Sequence, residues 1–422
     1  MKFAHISDTH LGSWRNPKIN EKSMDAFRKA MERCIEEDVD FILLSGDTLD
    51  NVTPSIDVLK ISVQLLKEAR DSGIDIYYIE GSHDFSSTGR TMLKVLESAG
   101  LMKKASVASQ AEDGKIQLEL LDTGHGAKIT GVPGRKGALE EGYYKDLDTE
   151  HLEKEEGFKI FLFHSGMSEH KPREFEHMEG IPISYLPKGF DYYAGGHVHK
   201  NMIFEEEGYG KIAYPGYTFP PGPKEMEKFG TGGFYIVEYD GDIEVSWEPL
   251  DVCNIVRLPC GDEDTVNYDA DGKTAIEVES EIRNDIKDAD FKDSIVMLKI
   301  VGTLEEGKES DIDLRGISEK IKGKGAIAVK TNTNKLYTKE FVEINKNIGS
   351  KEELENELID EHVEQFDVEG YSREEKKDLT IDMMNVLSQR KREDENKDTY
   401  EQRVIEETLN TIGLKEELEE VL

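Results

Sequence analysis

Over its first two hundred residues the chain alternates short apolar runs with amphipathic stretches. The runs are Phe3 to Ile6, Phe41 to Leu44, Ile76 to Ile79, Ile160 to Phe163 and Tyr192 to Ala194. They mix β-branched, aromatic and other apolar side chains and end near Gly or Asp, which reads as buried strands rather than helices. Between the first two runs, Met24, Phe27, Met31, Cys34 and Ile35 recur at helical spacing and predict an amphipathic helix. A second helix is predicted to begin near Thr53-Pro54, to carry Leu59, Val63, Leu66 and Ala69, and to stop at Gly73. The result is a βαβαβ order. In open α/β sheets, polar ligands gather in the crevice beyond the carboxyl ends of the strands.

Each apolar run leads into metal-type side chains. In order these are Asp8-Thr9-His10, Gly46-Asp47-Thr48-Leu49-Asp50, Gly81-Ser82-His83-Asp84, His164 and Gly196-His197-Val198-His199. Two divalent ions roughly 3.5–4 Å apart can clamp the attacking and leaving oxygens of a phosphoryl displacement. They need a carboxylate between them, and Asp47 is the candidate. Mixed imidazole and carboxylate donors suit Mn, Fe or Zn better than Mg or Ca, which favour oxygen shells. Two Mn2+ per chain is the expected complement, with Fe or Zn as alternatives.

This set resembles the calcineurin-like metallophosphoesterases, whose pattern is DxH, GDxxD, GNH(D/E), H and GHxH. The resemblance implies an α/β fold, a sandwich of β-sheets flanked by helices. Ile6-Ser7-Asp8-Thr9-His10-Leu11-Gly12, the run Phe190 to Lys200 and Tyr214-Pro215-Gly216 resemble more narrowly the archaeal double-strand-break repair nucleases of the meiotic recombination eleven and SbcD family. Carried over, that resemblance implies a first metal on Asp8, His10, Asp47 and His199, and a second on Asp47, Ser82, His164 and His197. It implies that His83 contacts the scissile phosphate and protonates the leaving group, with Asp84 orienting its ring. Ser82 stands where the family has Asn. A hydroxyl is a shorter and poorer ligand than an amide carbonyl.

Other residues have plainer readings. His5, on the first strand, is expected to be structural, and His125, His151, His170, His177 and His362 solvent-exposed. Asp50 matches the last position of GDxxD, but it also suits a turn or cap held by its side chain; both readings stand. Arg90, Lys94, Arg135, Lys136, Lys171, Arg173 and Lys200 are candidate phosphate contacts among ordinary surface charges.

At 422 residues the chain has room for two or three domains. A phosphoesterase part over 1–250 is expected, then a small α/β capping domain over 251–347. The latter is read from helices at Ala275 to Ile286 and Ile312 to Ile321 and strands at Ile295 to Val301 and Ala326 to Lys330. In 351–422, Ser372 and Glu375 form a capping-box pattern before Leu379, Met383 and Leu387. Thr399 and Gln402 form another before Ile405, Leu409 and Ile412, with Gly413 as a stop and the charged segment Gln389 to Asp398 between. The resemblance implies that this helical pair docks on a coiled-coil ABC-type ATPase of the radiation-sensitive fifty or SbcC type; packing back on the chain's own body is the alternative.

The net charge of −36 runs against the basic surface expected of a DNA-binding protein. Metal ions would restore positive charge where the phosphate must sit, and a partner subunit or a salty cytoplasm would soften the repulsion. Lys outnumbers Arg 39 to 14, which speaks against extreme halophily. Cys34, Cys253 and Cys260 show no zinc spacing, no run approaches a membrane span, and the N-terminus enters a strand at once; a cytoplasmic protein is expected. The expected function is a Mn-dependent DNA nuclease in double-strand-break repair, acting on DNA with the ATPase, alone or as a homodimer. Alternatives are a small-molecule or protein phosphoesterase of the same fold, or a catalytically degenerate scaffold.

Overall fold

The computed structural model describes residues 1–86, 89–110, 114–135, 141–171, 180–259, 267–339, 359, 372–389 and 397–411. Cys260, His177, His362, Ile412 and Gly413 lie outside them, as does most of the segment between the C-terminal helices.

Strands β1 (Lys2–Ile6), β2 (Phe41–Ser45) and β3 (Asp75–Ile79) are parallel neighbours, joined by helices α1 (Pro17–Glu36) and α2 (Ile56–Asp71). Strand Lys103–Lys104 extends the β3 edge, and the hairpin Gly233–Tyr239/Ile243–Pro249 adds antiparallel to β1, with Phe3 opposite Val237. A second six-stranded sheet is built on β4 (Phe158–His164) and β5 (Tyr192–Gly196), parallel with Gly196 opposite His164.

Alternation along each strand decides the layers. Phe3, Phe41, Leu43, Tyr77 and Ile79 pack against Ile160, Leu162, Tyr192 and Ala194 in the core between the sheets. Ala4, Ile6, Ile42, Leu44 and Ile76 face the other way, under Phe27, Met31, Cys34, Leu66 and Ala69 of the helices. Phe161, Phe163, Tyr193 and Tyr214 form the outer core of the second sheet. Strands covered on both faces read as continuous apolar runs, which is why they were visible in the sequence.

The second helix starts later than expected: Ser55, not Thr53-Pro54, caps it by accepting from the Val58 N–H. It still ends at Gly73, whose φ of +87° suits the exit. Helix α3 (Pro223–Lys228) follows Gly222 with proline in its first turn and buries Met226.

Beyond residue 250, Asn254–Leu258 pairs in parallel with Ser294–Leu304, and Ala328–Thr338 joins the same sheet. Helices cover Ala275–Asp288 and Leu314–Gly323. Ile295, Met297 and Ala328 belong to the same buried cluster as α1 and α2. By compactness, Met1–Asp269, Ile276–Ile300 and Ile312–Asn334 form one unit, and Ala270–Ala275, Val301–Asp311 and Lys335–Leu422 another. In the latter, helix Arg373–Leu387 carries the expected Ser372–Glu375 capping box. Helix Lys397–Thr411 runs through Thr399, so that residue is inside the helix and not its cap. No described helix is long and apolar enough to cross a membrane.

His5 is fully buried, with Nδ1 2.9 Å from the Tyr192 hydroxyl. Burial lowers its pKa to about 3 against a small opposing effect of the Gly195 backbone. Between pH 6.5 and about 3 the unfolded chain therefore takes up a proton that the folded chain refuses. Stability falls with pH across that window, by about 1.4 kcal/mol per pH unit for this group. His5→Gln cannot titrate, so its unfolding free energy relative to the parent should rise as pH drops from 6.5 to 4. Urea unfolding of both proteins across that range checks it; a pH-independent difference would contradict the buried neutral imidazole.

Candidate metal centre

Four of the expected ligands sit on strained backbone. Asp8, His10, Asp47 and His197 have φ of 49°, 41°, 48° and 82°, a region in which only Asp38 and Asp293 join them among described non-glycine residues. Such strain persists only where surrounding contacts over-determine it. Those contacts are present. The Asp8 N–H donates to Gly46 O at 3.1 Å, His10 N–H to Asp47 O at 2.9 Å and Leu11 N–H to Thr48 O at 3.1 Å, lacing the loop after β1 to the loop after β2. The His197 N–H reaches both Asp8 carboxylate oxygens at 3.1 and 3.0 Å, and the His83 N–H reaches Asp47 Oδ1 at 2.7 Å.

Three donor groups result, one of them His10, Asp50 and His83. One ligand atom from each of Asp8, His10 and His199 lies within 4.8 Å of the other two, and the same holds for Asp47, His164 and His197. The Nε2 atoms of His10 and His199 approach to 3.2 Å. Asp47 Oδ2 lies between the groups, 3.8 Å from His10 Nε2 and 3.1 Å from His164 Nε2. Ser82 Oγ donates to that same oxygen at 3.2 Å, which puts the departing family position beside the shared carboxylate.

His83 is the exposed member, with 46% of its side chain open to solvent. Its Nδ1 lies 2.9 Å from Asp50 O, and since a carbonyl only accepts, Nδ1 carries the proton there. Asp50 Oδ1 is 3.6 Å from His83 Nδ1 and equally 3.6 Å from His10 Nδ1. With Ser55 capping α2, Asp50 takes the site reading rather than the capping one. The expected orienting role of Asp84 is corrected. Its buried carboxylate accepts from the backbone N–H groups of Thr48, Leu49 and Gly81 at 3.0–3.1 Å. It ties the β2 loop to the β3 loop, while the ring contacts of His83 go to Asp50.

Small residues make the space. A Cβ on Gly196 would stand 2.0 Å from Ser45 O and 2.6 Å from His164 Nδ1, so only glycine lets the loops close on that ring. Glu225 of α3 was not picked out by sequence, yet its carboxylate is 3.7 Å from His199 Nδ1. Nothing local marks it, because α3 is brought there by tertiary packing. Away from the centre, His125 is exposed as expected, but His151 and His170 are half-buried, against Leu118 O and the Phe204 ring respectively.

Burial opposes charge throughout the centre. Pairing overcomes it for Asp47, held well below the usual carboxylate range by His164, and for His164, raised to about 10 chiefly by Asp47. His197 is lowered to about 4 by burial and the neighbouring His164. Burial and the nearby Asp47 raise Asp84 to about 7 despite its three amide partners. His164 Nε2 and His10 Nδ1 are buried without an aligned hydrogen bond. Convergent imidazoles around a shared carboxylate, with ring nitrogens left unsatisfied, fit a pair of divalent cations. Asp8, His10, Asp47 and His199 would hold one and Asp47, His164 and His197 the other, with Ser82 at its side.

Residues 1–201 match the model of the calcineurin-like phosphoesterase family, in keeping with the two-sheet fold and the clustered histidine and carboxylate donors. The chain is similar to the DNA double-strand break repair protein Mre11 of several archaea. It is 26% identical to that of Methanococcus maripaludis over 60% of this chain and 67% of the relative. For Archaeoglobus fulgidus the identity is 29%, over 51% and 49%, and for Sulfurisphaera tokodaii 32%, over 57% and 60%. The chain thus spans about half to two thirds of the length of these relatives.

Ser82 allows a direct test. Ser82→Asn should lower the manganese concentration required for half-maximal hydrolysis of a generic phosphodiester such as bis-nitrophenyl phosphate. An unchanged or higher requirement would show that the loop geometry is built around the hydroxyl.

Proposed function

We propose that the chain is a manganese-dependent DNA nuclease of double-strand-break repair, working in the cytoplasm with a coiled-coil ATPase of the radiation-sensitive fifty or SbcC type. The single observation that carries the proposal is that the Asp47–His164–His197 donor group meets the Asp8–His10–His199 group through Asp47 and His10, 3.8 Å apart, with His83 exposed at their edge. The relatives named above, all described as repair proteins, point the hydrolase toward DNA.

Held by Asp8, His10, Asp47, His164, His197 and His199, a divalent pair would supply positive charge near the phosphate oxygens and would make bound water a better nucleophile. Water attacks phosphorus and gives up a proton to solvent, the bond from phosphorus to the sugar oxygen breaks, and that oxygen leaves with a proton. His83 is suited to give the proton. Its Nδ1–H is engaged by Asp50 O, which leaves Nε2 as the exchanging nitrogen, with Asp50 Oδ1 3.6 Å from Nδ1 on the same side. Arg135, over the rings of Phe85 and Tyr143 at 4.9 and 5.1 Å, and Lys200, over Phe229 and next to His199, are offered as strand contacts. Arg90 and Lys94 are exposed and Lys171 half-buried, while Lys136 and Arg173 fall outside the described residues.

The proposed division is a nuclease part over 1–250, a capping part over 251–347 and a docking segment over 351–422. Within the last, Met384, Leu387 and Ile405 are 40%, 59% and 57% exposed, large apolar side chains on two short helices. The helices touch each other through Gln389, which meets Glu407, Tyr400 and Arg403. Helices of that length need tertiary cover, and the ATPase coiled coil is the proposed cover.

Manganese-dependent cleavage of linear duplex and single-stranded DNA by the full chain is the expected result. His83→Ala should keep the metal stoichiometry of the parent while slowing turnover about 10²-fold; His197→Ala should lose metal as well. Hydrolysis of a generic phosphodiester without action on DNA would favour a small-molecule or protein phosphoesterase, and silence on both a scaffold.

The docking segment is tested separately. Leu387→Lys combined with Ile405→Lys should abolish pull-down of the ATPase and leave phosphodiester hydrolysis unchanged. Retained binding would overturn the docking proposal.

A further inference from the structure

Helix α3 is six residues long, too short to hold its place by its own hydrogen bonds. Its position matters because Glu225 faces His199, whose Nε2 turns toward His10 and Asp8. A carboxylate on the far nitrogen of a metal-ligating histidine fixes the tautomer and the ring. At 3.7 Å the contact is long for a hydrogen bond, so a small shift of α3 decides whether it forms.

What fixes α3 comes mainly from outside the metallophosphoesterase motifs. Its first turn is anchored by buried Met226, and the Tyr217 hydroxyl donates to Glu225 O and Gly230 O at 3.2 and 3.1 Å. Its carbonyl end is held by two strands beyond residue 250. Arg257 on Asn254–Leu258 donates through Nε to Glu227 O at 2.6 Å and through a terminal nitrogen to Met226 O at 3.3 Å. Lys299 on the neighbouring strand Ser294–Leu304 pairs with the Glu227 carboxylate. The last carbonyls of a helix lack partners within it and favour cations. Two adjacent strands therefore meet an unsatisfied helix end with two basic side chains.

We propose that Glu225 is a positioning residue for His199, and that Arg257 and Lys299 clamp α3 so that the sheet beyond residue 250 tunes the Asp8–His10–His199 half of the centre. The inference rests on the dimetal reading of the site and not on DNA being the substrate. It separates the two halves: among the described residues no hydrogen bond or ion pair joins Asp47, His164 or His197 to α3, so the clamp should act on one metal and spare the other.

The test is calorimetric titration of manganese into the full chain, with thermal melting of each variant as a folding check. The parent should show two binding events. Glu225→Gln should weaken one of them by about tenfold or more and leave the other in place. Glu225→Asp, which keeps the charge on a shorter arm, should recover part of the loss. Arg257→Met with Lys299→Met should weaken the same event by a smaller factor, about threefold to tenfold, and Arg257→Lys should fall between that variant and the parent. An isotherm for Glu225→Gln that matches the parent would overturn the positioning role. Equal weakening of both events, or a single event in the parent, would overturn the separation of the halves. Failure of the nuclease proposal looks different: DNA stays intact while the manganese isotherms divide as described.

Discussion

The Asp47 carboxylate is the point on which the structure depends. It leaves β2 on left-handed backbone, accepts the His83 N–H through one oxygen, and presents the other to His164, His10 and Ser82. These contacts come from loops after β1, β2, β3 and β4, so one carboxylate ties together four strand ends from two sheets. A buried carboxylate without such partners would cost several kcal/mol and would take up a proton instead. Here the surrounding imidazoles keep it charged, and the same imidazoles converge as metal donors. Folding of the loops and assembly of the site are one process.

Asp84 shows how that arrangement is braced. Its carboxylate spans the β2 and β3 loops through three backbone amides and holds Thr48 and Leu49 beside the β1 loop. The strained φ values at Asp8, His10 and Asp47 are sustained by this lacing, not by local preference. Gly196 completes the enclosure from the second sheet, where any side chain would strike Ser45 or His164.

Much of this was legible in the sequence for a definite reason. β1 to β5 are covered on both faces, so their runs are continuously apolar, and ligands placed just past strand ends follow from parallel α/β geometry. The hairpin Gly233–Tyr239/Ile243–Pro249 was not legible: it pairs with β1 from more than two hundred residues away, and its outer strand is half-solvated along its length. The start of α2 went to Ser55 because its hydroxyl, not that of Thr53, meets an orphan amide. Asp50, Asp84 and Glu225 share a different difficulty. A carboxylate can cap, pair or ligate, and its choice depends on which loop lies opposite, which no local pattern records.

The acidic composition takes on a different meaning once the site is placed. A net charge of −36 repels a polyanion at long range, but long-range repulsion governs encounter more than the local energy of a phosphate in the cleft. In the cleft the charge is set by Asp8 and Asp47 against the imidazoles and whatever cations they hold, at separations far shorter than the roughly 8 Å screening length of physiological salt. The two scales are independent, so an acidic surface and an anion-binding centre can coexist in one chain. The price of that coexistence is a dependence on cations: without them the two buried carboxylates face an incoming phosphate with only partly protonated imidazoles to offset it. On the proposed function, loading of the centre would be the step at which the molecule becomes able to accept its substrate, and a contact that shifts His199, including the proposed hold of Arg257 and Lys299 on α3, would act on that step.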